Sequence, residues 1–190
     1  MTLKDKTNLT RTFICIDFSD EITKEIARIP PLLDKKFVGK FTELENLHLT
    51  LKFLGEISLE QINKVKTLLS NISFTNFQAH LEVLGTFSIK GHPKILWIKI
   101  AGRQIYDLQK QIDESLMQLF PKEERFMSHL TIARIKHIKD KVDFDHTLKN
   151  ITVKKIMFYC NFSSISALMP SLKQSSTNFN ASSIVPTPDP

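Results

Sequence analysis

One short phrase, written twice, constrains this chain more than anything else in it. Leu47 to Phe53 reads LHLTLKF and Ser128 to Arg134 reads SHLTIAR, and His-Leu-Thr followed by an aliphatic residue occurs at these two places alone. Both copies are apolar, β-branched and free of Gly and Pro, so both read as strands. Successive strand residues point to opposite faces. Each copy therefore sets an imidazole beside a hydroxyl, His48 with Thr50 and His129 with Thr131. Leu49 and Leu51, or Leu130 and Ile132, turn the other way into a core. A single histidine on a half-apolar strand is usually structural; packing alone gives no reason for His and Thr to recur together. Internal self-similarity of this kind points to two related halves whose strands meet across a cleft.

A chain of 190 residues fits one domain, or two small lobes around one core. With 42% hydrophobic and 24% charged residues, it has an ordinary globule's composition and needs no staples to bury a core. Cys15 and Cys160 each lie in an apolar run, which suits buried free thiols and a cytoplasmic location. Neither a signal peptide nor a run long enough to span a membrane is visible. The net charge of +6 comes from dispersed lysines; it serves solubility and is compatible with a polyanionic partner.

Along the chain, Thr12 to Phe18 reads as a buried strand. A helix capped at Ser19 or Asp20 follows, with Ile22, Ile26 and Ile29 at helical spacing up to Pro30-Pro31. Phe37 to Thr42 is a short strand, and the first His-Leu-Thr strand is expected to stop at Gly55. Ser58 and Gln61 form a capping-box pattern ahead of Ile62, Val65 and Leu69. In Phe77 to Phe87, alternation puts Leu81, Val83, Gly85 and Phe87 on one face. Lys94 to Ile100 is a strand carrying Trp97. Ile105, Leu108, Ile112, Leu116 and Leu119 mark the clearest helix, which ends before Pro121. Lys136 to Asn150 reads as a loop with a short helix at Phe144 to Leu148, and Ile151 to Phe162 as a strand. The order is α+β, with mostly antiparallel sheet and helices outside. Residues 180–190 are expected to be a disordered tail.

Two imidazoles across a cleft can serve as a general acid and a general base, because an unperturbed ring titrates near ~6.5. Each role contributes roughly 10²–10⁴-fold in rate. Threonine hydroxyls can donate to the non-bridging oxygens of an anion, and an arginine can add a charge-assisted contact. Attack by water at phosphorus, with the leaving oxygen protonated from the opposite side, fits this set without a metal or cofactor. Zinc would need a third protein ligand, and neither strand carries Cys, Asp or Glu beside its His. Ser128 is adjacent to His129 and so faces the other way. The five glycines are dispersed and form no phosphate loop. His80, His92, His137 and His146 lie in no repeated context. Lys52 is expected on the exposed face of its strand, where it could also help attract phosphate. Phe41, Phe126 and Trp97 are aromatic groups that could pack in the core or stack on a base.

The two segments Glu45 to Glu56 (ENLHLTLKFLGE) and Phe126 to Arg134 (FMSHLTIAR) resemble the paired H-x-T/S-x signature of the 2H phosphoesterase superfamily. Within it they are similar to the LigT/ThpR family of RNA 2′,3′-cyclic phosphodiesterases. Supporting marks are FICIDF near the start, Leu84-Gly85-Thr86-Phe87, and Ile95-Leu96-Trp97 before the long helix. The likeness runs from Arg11 to Phe179, and residues 11–179 are expected to form one bilobal phosphoesterase domain. The family commonly has Pro where this chain has Ser128.

The resemblance implies a bilobal fold with pseudo-two-fold symmetry, two antiparallel-sheet lobes with outer helices around a central cleft. It implies metal-independent hydrolysis of 2′,3′-cyclic phosphate at RNA 3′ ends to 2′-phosphomonoesters. No cofactor is expected, and the chain is expected to act as a monomer. Carried over by position, His48 is the acid to the departing 3′ oxygen and His129 the base toward water; the residues themselves leave that order open. Thr50 and Thr131 hold the phosphate, Arg134 lies near it, and Phe126 is the aromatic before the second motif. Strict alternation, however, turns Arg134 away from His129, so that role requires a twist or bulge. Rival readings are small cyclic nucleotides or 2′-5′ oligonucleotides as substrates, reversal as 2′-5′ RNA ligation, and a binding module without turnover.

Overall fold

The structure is a computed structural model and describes residues 9–161, 165–168 and 177–178. The expected tail at 180–190 lies outside the described residues. The strands are β1 (Thr10–Asp17), β2 (Phe37–Phe41), β3 (His48–Ile57), β4 (Phe77–Ile89), β5 (His92–Ala101), β6 (His129–Ile138), β7 (Met157–Cys160), β8 (Ile165–Leu168) and β9 (Thr177–Asn178). The helices are α1 (Asp20–Ala27), α2 (Ile29–Leu32), α3 (Leu59–Leu69), α4 (Arg103–Leu116) and α5 (Lys141–Asn150). Every strand pair among the described residues is antiparallel, and the strands join one sheet in the order β7-β4-β5-β6-β3-β1-β8-β9, with β2 added along β6.

An apolar stripe places the long helices, and α3 has a side-chain cap as well. The Ser19 side chain expected to cap α1 makes no cap hydrogen bond, and α4 opens at Gly102 without one. Ser58 and Gln61 make the reciprocal capping box that opens α3, and Ile62, Val65 and Leu69 bury its inner side. Helix α4 buries Ile105, Leu108, Ile112 and Leu116 and ends at Leu116, one turn earlier than the apolar spacing indicated, leaving Leu119 partly exposed. These side chains share one core with Leu49, Leu51, Leu130 and Ile132 from the motif strands. The other face of the motif strands is left for His48, Thr50, His129 and Thr131.

Several strands depart from simple alternation, and each departure has a bulge behind it. Strand β3 does not stop at Gly55 but runs on to Ile57. Gly55 takes φ +77°, which glycine adopts without strain, and the pairing with β1 steps over Leu54 there. In β4 the register with β5 shifts between Leu81 and Leu84. Leu81 is consequently buried, Val83 is exposed, and Gly85 and Phe87 lie on the opposite side from Leu81. Strand β6 extends to Ile138, and α5 fills most of the stretch expected to be loop. Among the described residues of the last expected long strand only Met157–Cys160 is sheet.

Candidate active site

The two motif strands are neighbours. Leu49 of β3 pairs with Leu130 of β6, and both are fully buried. Carrying that antiparallel register one residue each way sets His48 across from Thr131 and Thr50 across from His129. The imidazoles are thus diagonal neighbours, a relationship that spans about 7–8 Å between backbone positions in a regular ladder. On the outer sides β1 flanks β3 and β5 flanks β6, so each half of the site rests on its own pair of strands.

The two halves match down to their irregularities. Against β1 the register steps from Thr50 to Lys52, leaving Leu51 as the extra residue; against β5 it steps from Thr131 to Ala133, leaving Ile132. A bulge therefore falls three residues after each histidine. Leu51 and Lys52 both turn inward, as do Ile132 and Ala133, and the alternation resumes in the opposite phase. Arg134 emerges exposed on the same face as His129 and Thr131, which removes the objection raised by strict alternation. Its counterpart in the first half is Phe53, 61% exposed and packed on Phe13, the ring that stacks on His48.

Lys52 sits elsewhere than its strand position suggested. The bulge at Leu51 turns it into the interior, where it is 3% exposed and paired with Asp113 of α4.

Both imidazoles are held by the same device. His48 Nδ1 lies 2.7 Å from the carbonyl oxygen of Asn46, and His129 Nδ1 lies 2.7 Å from that of Met127. A carbonyl oxygen only accepts, so each Nδ1–H donates and each Nε2 is the nitrogen left for chemistry. Aromatic rings fix the planes. His48 stacks on Phe13 with centroids 4.6 Å apart, and His129 meets the edge of Phe87 at 4.9 Å. Phe87 in turn packs on Trp97, the cross-strand neighbour of Thr131.

Electrostatically the halves differ. Asp17 is the cross-strand partner of His48, whereas Lys99 faces His129 and is bridged to Glu82 at 2.7 Å. Burial pushes the His48 pKa down; the hydrogen bond to Asn46 and the charge of Asp17 oppose this without cancelling it. Phe126, in the loop before β6, is half-buried and meets Tyr106 of α4 edge-on at 5.3 Å. Ser128 is fully buried, with its carbonyl accepting from Ile100 N–H at 3.2 Å. Trp97 lies along the sheet over Gly85, and Phe41 packs against Phe37 at the edge of the core. Among the described residues no three His, Cys, Asp or Glu side chains converge as metal ligands. No helix among them is long and apolar enough to cross a membrane.

Asp17, Phe13, Phe53, Phe87 and Lys99 were not singled out from the sequence. Aligning the two motifs residue by residue would have exposed Phe53, since it follows Thr50 as Arg134 follows Thr131.

Residues 16–97 match the model of the LigT like phosphoesterase family. The chain is 36% identical over 132 residues to the RNA 2′,3′-cyclic phosphodiesterase of Methanocaldococcus jannaschii, spanning 69% of this chain and 75% of that protein. This chain belongs to the LigT-like phosphoesterases. A second LigT-like relative, the RNA 2′,3′-cyclic phosphodiesterase of Archaeoglobus fulgidus, is 32% identical over 134 residues, 70% of this chain and 76% of its own length. The LigT-like fold is also seen in the TT0787 protein of Thermus thermophilus, with a TM-score of 0.69 at 18% identity over 83% of this chain and 86% of that one. E. coli LigT in complex with 3′-AMP superposes with a TM-score of 0.61 at 20% identity, covering 84% and 87% of the two chains. The α+β architecture expected of a 2H phosphoesterase, an antiparallel sheet with helices packed on it, is therefore the architecture of this chain.

Proposed function

We propose that this protein hydrolyses the 2′,3′-cyclic phosphate at RNA 3′ ends to a 2′-phosphomonoester, with His48 and His129 as the acid–base pair. The observation that carries the reading is the meeting of β3 and β6. It gathers both His-Thr pairs on one face, with each Nδ1 tied to backbone and each Nε2 left for chemistry. The relatives from M. jannaschii and A. fulgidus, both named RNA 2′,3′-cyclic phosphodiesterase, support the substrate.

In this mechanism His129 Nε2 takes a proton from water as the water oxygen bonds to phosphorus. The bond from phosphorus to the 3′ oxygen breaks, and His48 Nε2–H delivers its proton to that oxygen. The products are a 2′-phosphate and a 3′-hydroxyl, and a proton exchange with solvent resets the pair. Thr50 and Thr131 donate to the non-bridging oxygens, where charge builds during attack. Arg134 adds a charge-assisted contact on the His129 side. Phe126, half-buried before the second motif, offers an aromatic surface to the terminal ribose or base. Both halves of the site come from one chain, which suits a monomer. Cys15 and Cys160 are both buried, which suits the cytoplasm.

The test is turnover of a cyclic-phosphate-ended oligonucleotide and of 2′,3′-cyclic mononucleotides in excess chelator. The proposal expects a 2′-phosphate product from the oligonucleotide without added metal. His48→Ala and His129→Ala should each reduce kcat by about 10²–10⁴-fold while melting near the wild-type temperature. Turnover of mononucleotides alone would favour a small cyclic nucleotide as substrate. Tight binding without turnover, or a near-full rate in either variant, would overturn the acid–base reading.

A further inference from the structure

The second motif is delivered by an irregular loop, residues 117–128, that follows α4 and ends at His129. A buried ion pair lies behind it. Lys52, turned inward by the bulge in β3, donates through Nζ to Asp113 Oδ1 and to the carbonyl oxygen of Pro121, the latter at 2.7 Å. The other carboxylate oxygen of Asp113 accepts from Gln109 Nε2 at 2.7 Å and from the backbone N–H of Glu123 at 3.1 Å. Lys52 and Asp113 are 3% and 2% exposed. One ion pair thus holds two backbone groups of the loop, Pro121 C=O and Glu123 N–H. A few residues on, Met127 supplies the carbonyl that fixes His129, and the Ser128 carbonyl anchors the chain to β5.

Stability alone does not account for such a pair, because well-packed apolar replacements of buried ion pairs are often neutral or stabilising. An apolar pair, however, could not hold Pro121 C=O or Glu123 N–H. The corresponding position in the second half is Ala133, fully buried and without charge, so the device belongs to one half only. Lys52 is also two residues beyond Thr50. The network therefore connects the strand of the first motif with the loop that sets the second.

We infer that Lys52 and Asp113 are positioning residues that fix the loop at 121–127 against β3 and so hold the His129 ring, through the Met127 carbonyl, in place beside His48. This rests on the acid–base reading above. Their loss acts on the alignment of the reacting groups more than on substrate affinity.

The experiment uses the full chain, Asp113→Asn and the apolar double variant Lys52→Met/Asp113→Leu. Thermal melting, amide hydrogen exchange and steady-state kinetics on a 2′,3′-cyclic nucleotide are the readouts. In the wild type, the Glu123 amide should exchange as slowly as amides inside α4, although it lies in an irregular loop. In both variants it should exchange at least about 10-fold faster. A kcat loss of about 10–100-fold is expected, with KM within about threefold, because misalignment of roughly 1 Å costs on that order. The double variant should melt within a few degrees of wild type.

Free exchange at Glu123 in the wild type, or wild-type kcat in either folded variant, would overturn the inference. Should the double variant fail to fold, Asp113→Asn, which keeps shape and volume, decides by the same readings. A wild-type chain without turnover would defeat the phosphodiesterase reading instead, and the exchange data would still test the network.

Discussion

Leu49 and Leu130 face each other across the antiparallel contact of the two motif strands, and neither has any exposed surface. This pair is where the two halves of the molecule are sewn together at the site. Burying two leucine side chains contributes about 1.5–3 kcal/mol each relative to exposure. Because the side-chain period of a strand is two, one buried pair is enough to turn all four His and Thr side chains to the opposite face. The apolar residue inside each motif thus fixes the register that brings the polar residues together.

Arg134 reaches the His129 face only because of the bulge at Ile132. If it contacts the phosphate, Arg134→Ala should lower kcat/KM by about 10–100-fold, matching roughly 1.5–3 kcal/mol for a hydrogen bond to a charged group. Arg134→Lys should recover part of the loss, since it keeps the charge without the planar fork. Kinetics of both variants at low and high salt check this; an alanine variant within twofold of wild type would remove Arg134 from the site.

Asp17 opposes the downward push of burial on the His48 pKa. Asp17→Asn removes that opposition, so the His48 pKa should fall further. With His48 as the acid, activity requires its protonated form, and the high-pH limb of the pH profile should move to lower pH. NMR titration of His48 alongside kcat/KM against pH measures both. An unmoved limb with a lowered His48 pKa would reverse the assignment of acid and base.

Gly85 lies beneath the indole of Trp97, where a Cβ would overlap the ring. Trp97 is the cross-strand neighbour of Thr131, so displacing it disturbs the floor of the site. Gly85→Ala should cost about 1–3 kcal/mol by overpacking. It should also shift the emission of this single tryptophan, which thermal melting with fluorescence detection would record.

Much of this was legible in the chain because its signals are local. The capping box at Ser58, the apolar stripe of α4 and the His-Leu-Thr strands are written within a few residues of one another. What was hidden depends on partners distant in sequence. The bulges at Leu51 and Ile132 are defined by β1 and β5, and nothing inside HLTLKF or HLTIAR announces them. They alone decide that Lys52 turns inward to Asp113 and that Arg134 turns outward. The shift in β4 separates Leu81 from Gly85 for the same reason. Helix α5 was underestimated because Phe144 is its only fully buried anchor, while its cap, Asp140 accepting from Asp143 N–H, lies among other charges.

Side-chain nitrogen NMR of both histidines during titration with a nucleoside 2′-monophosphate tests most directly whether they serve one phosphate. The two Nε2 resonances, His48 and His129, should shift together along one binding curve with a single Kd, while both Nδ1 signals keep the signature of a donor to carbonyl. Shifts confined to one ring, or two rings responding with different Kd values, would contradict a shared phosphate between them.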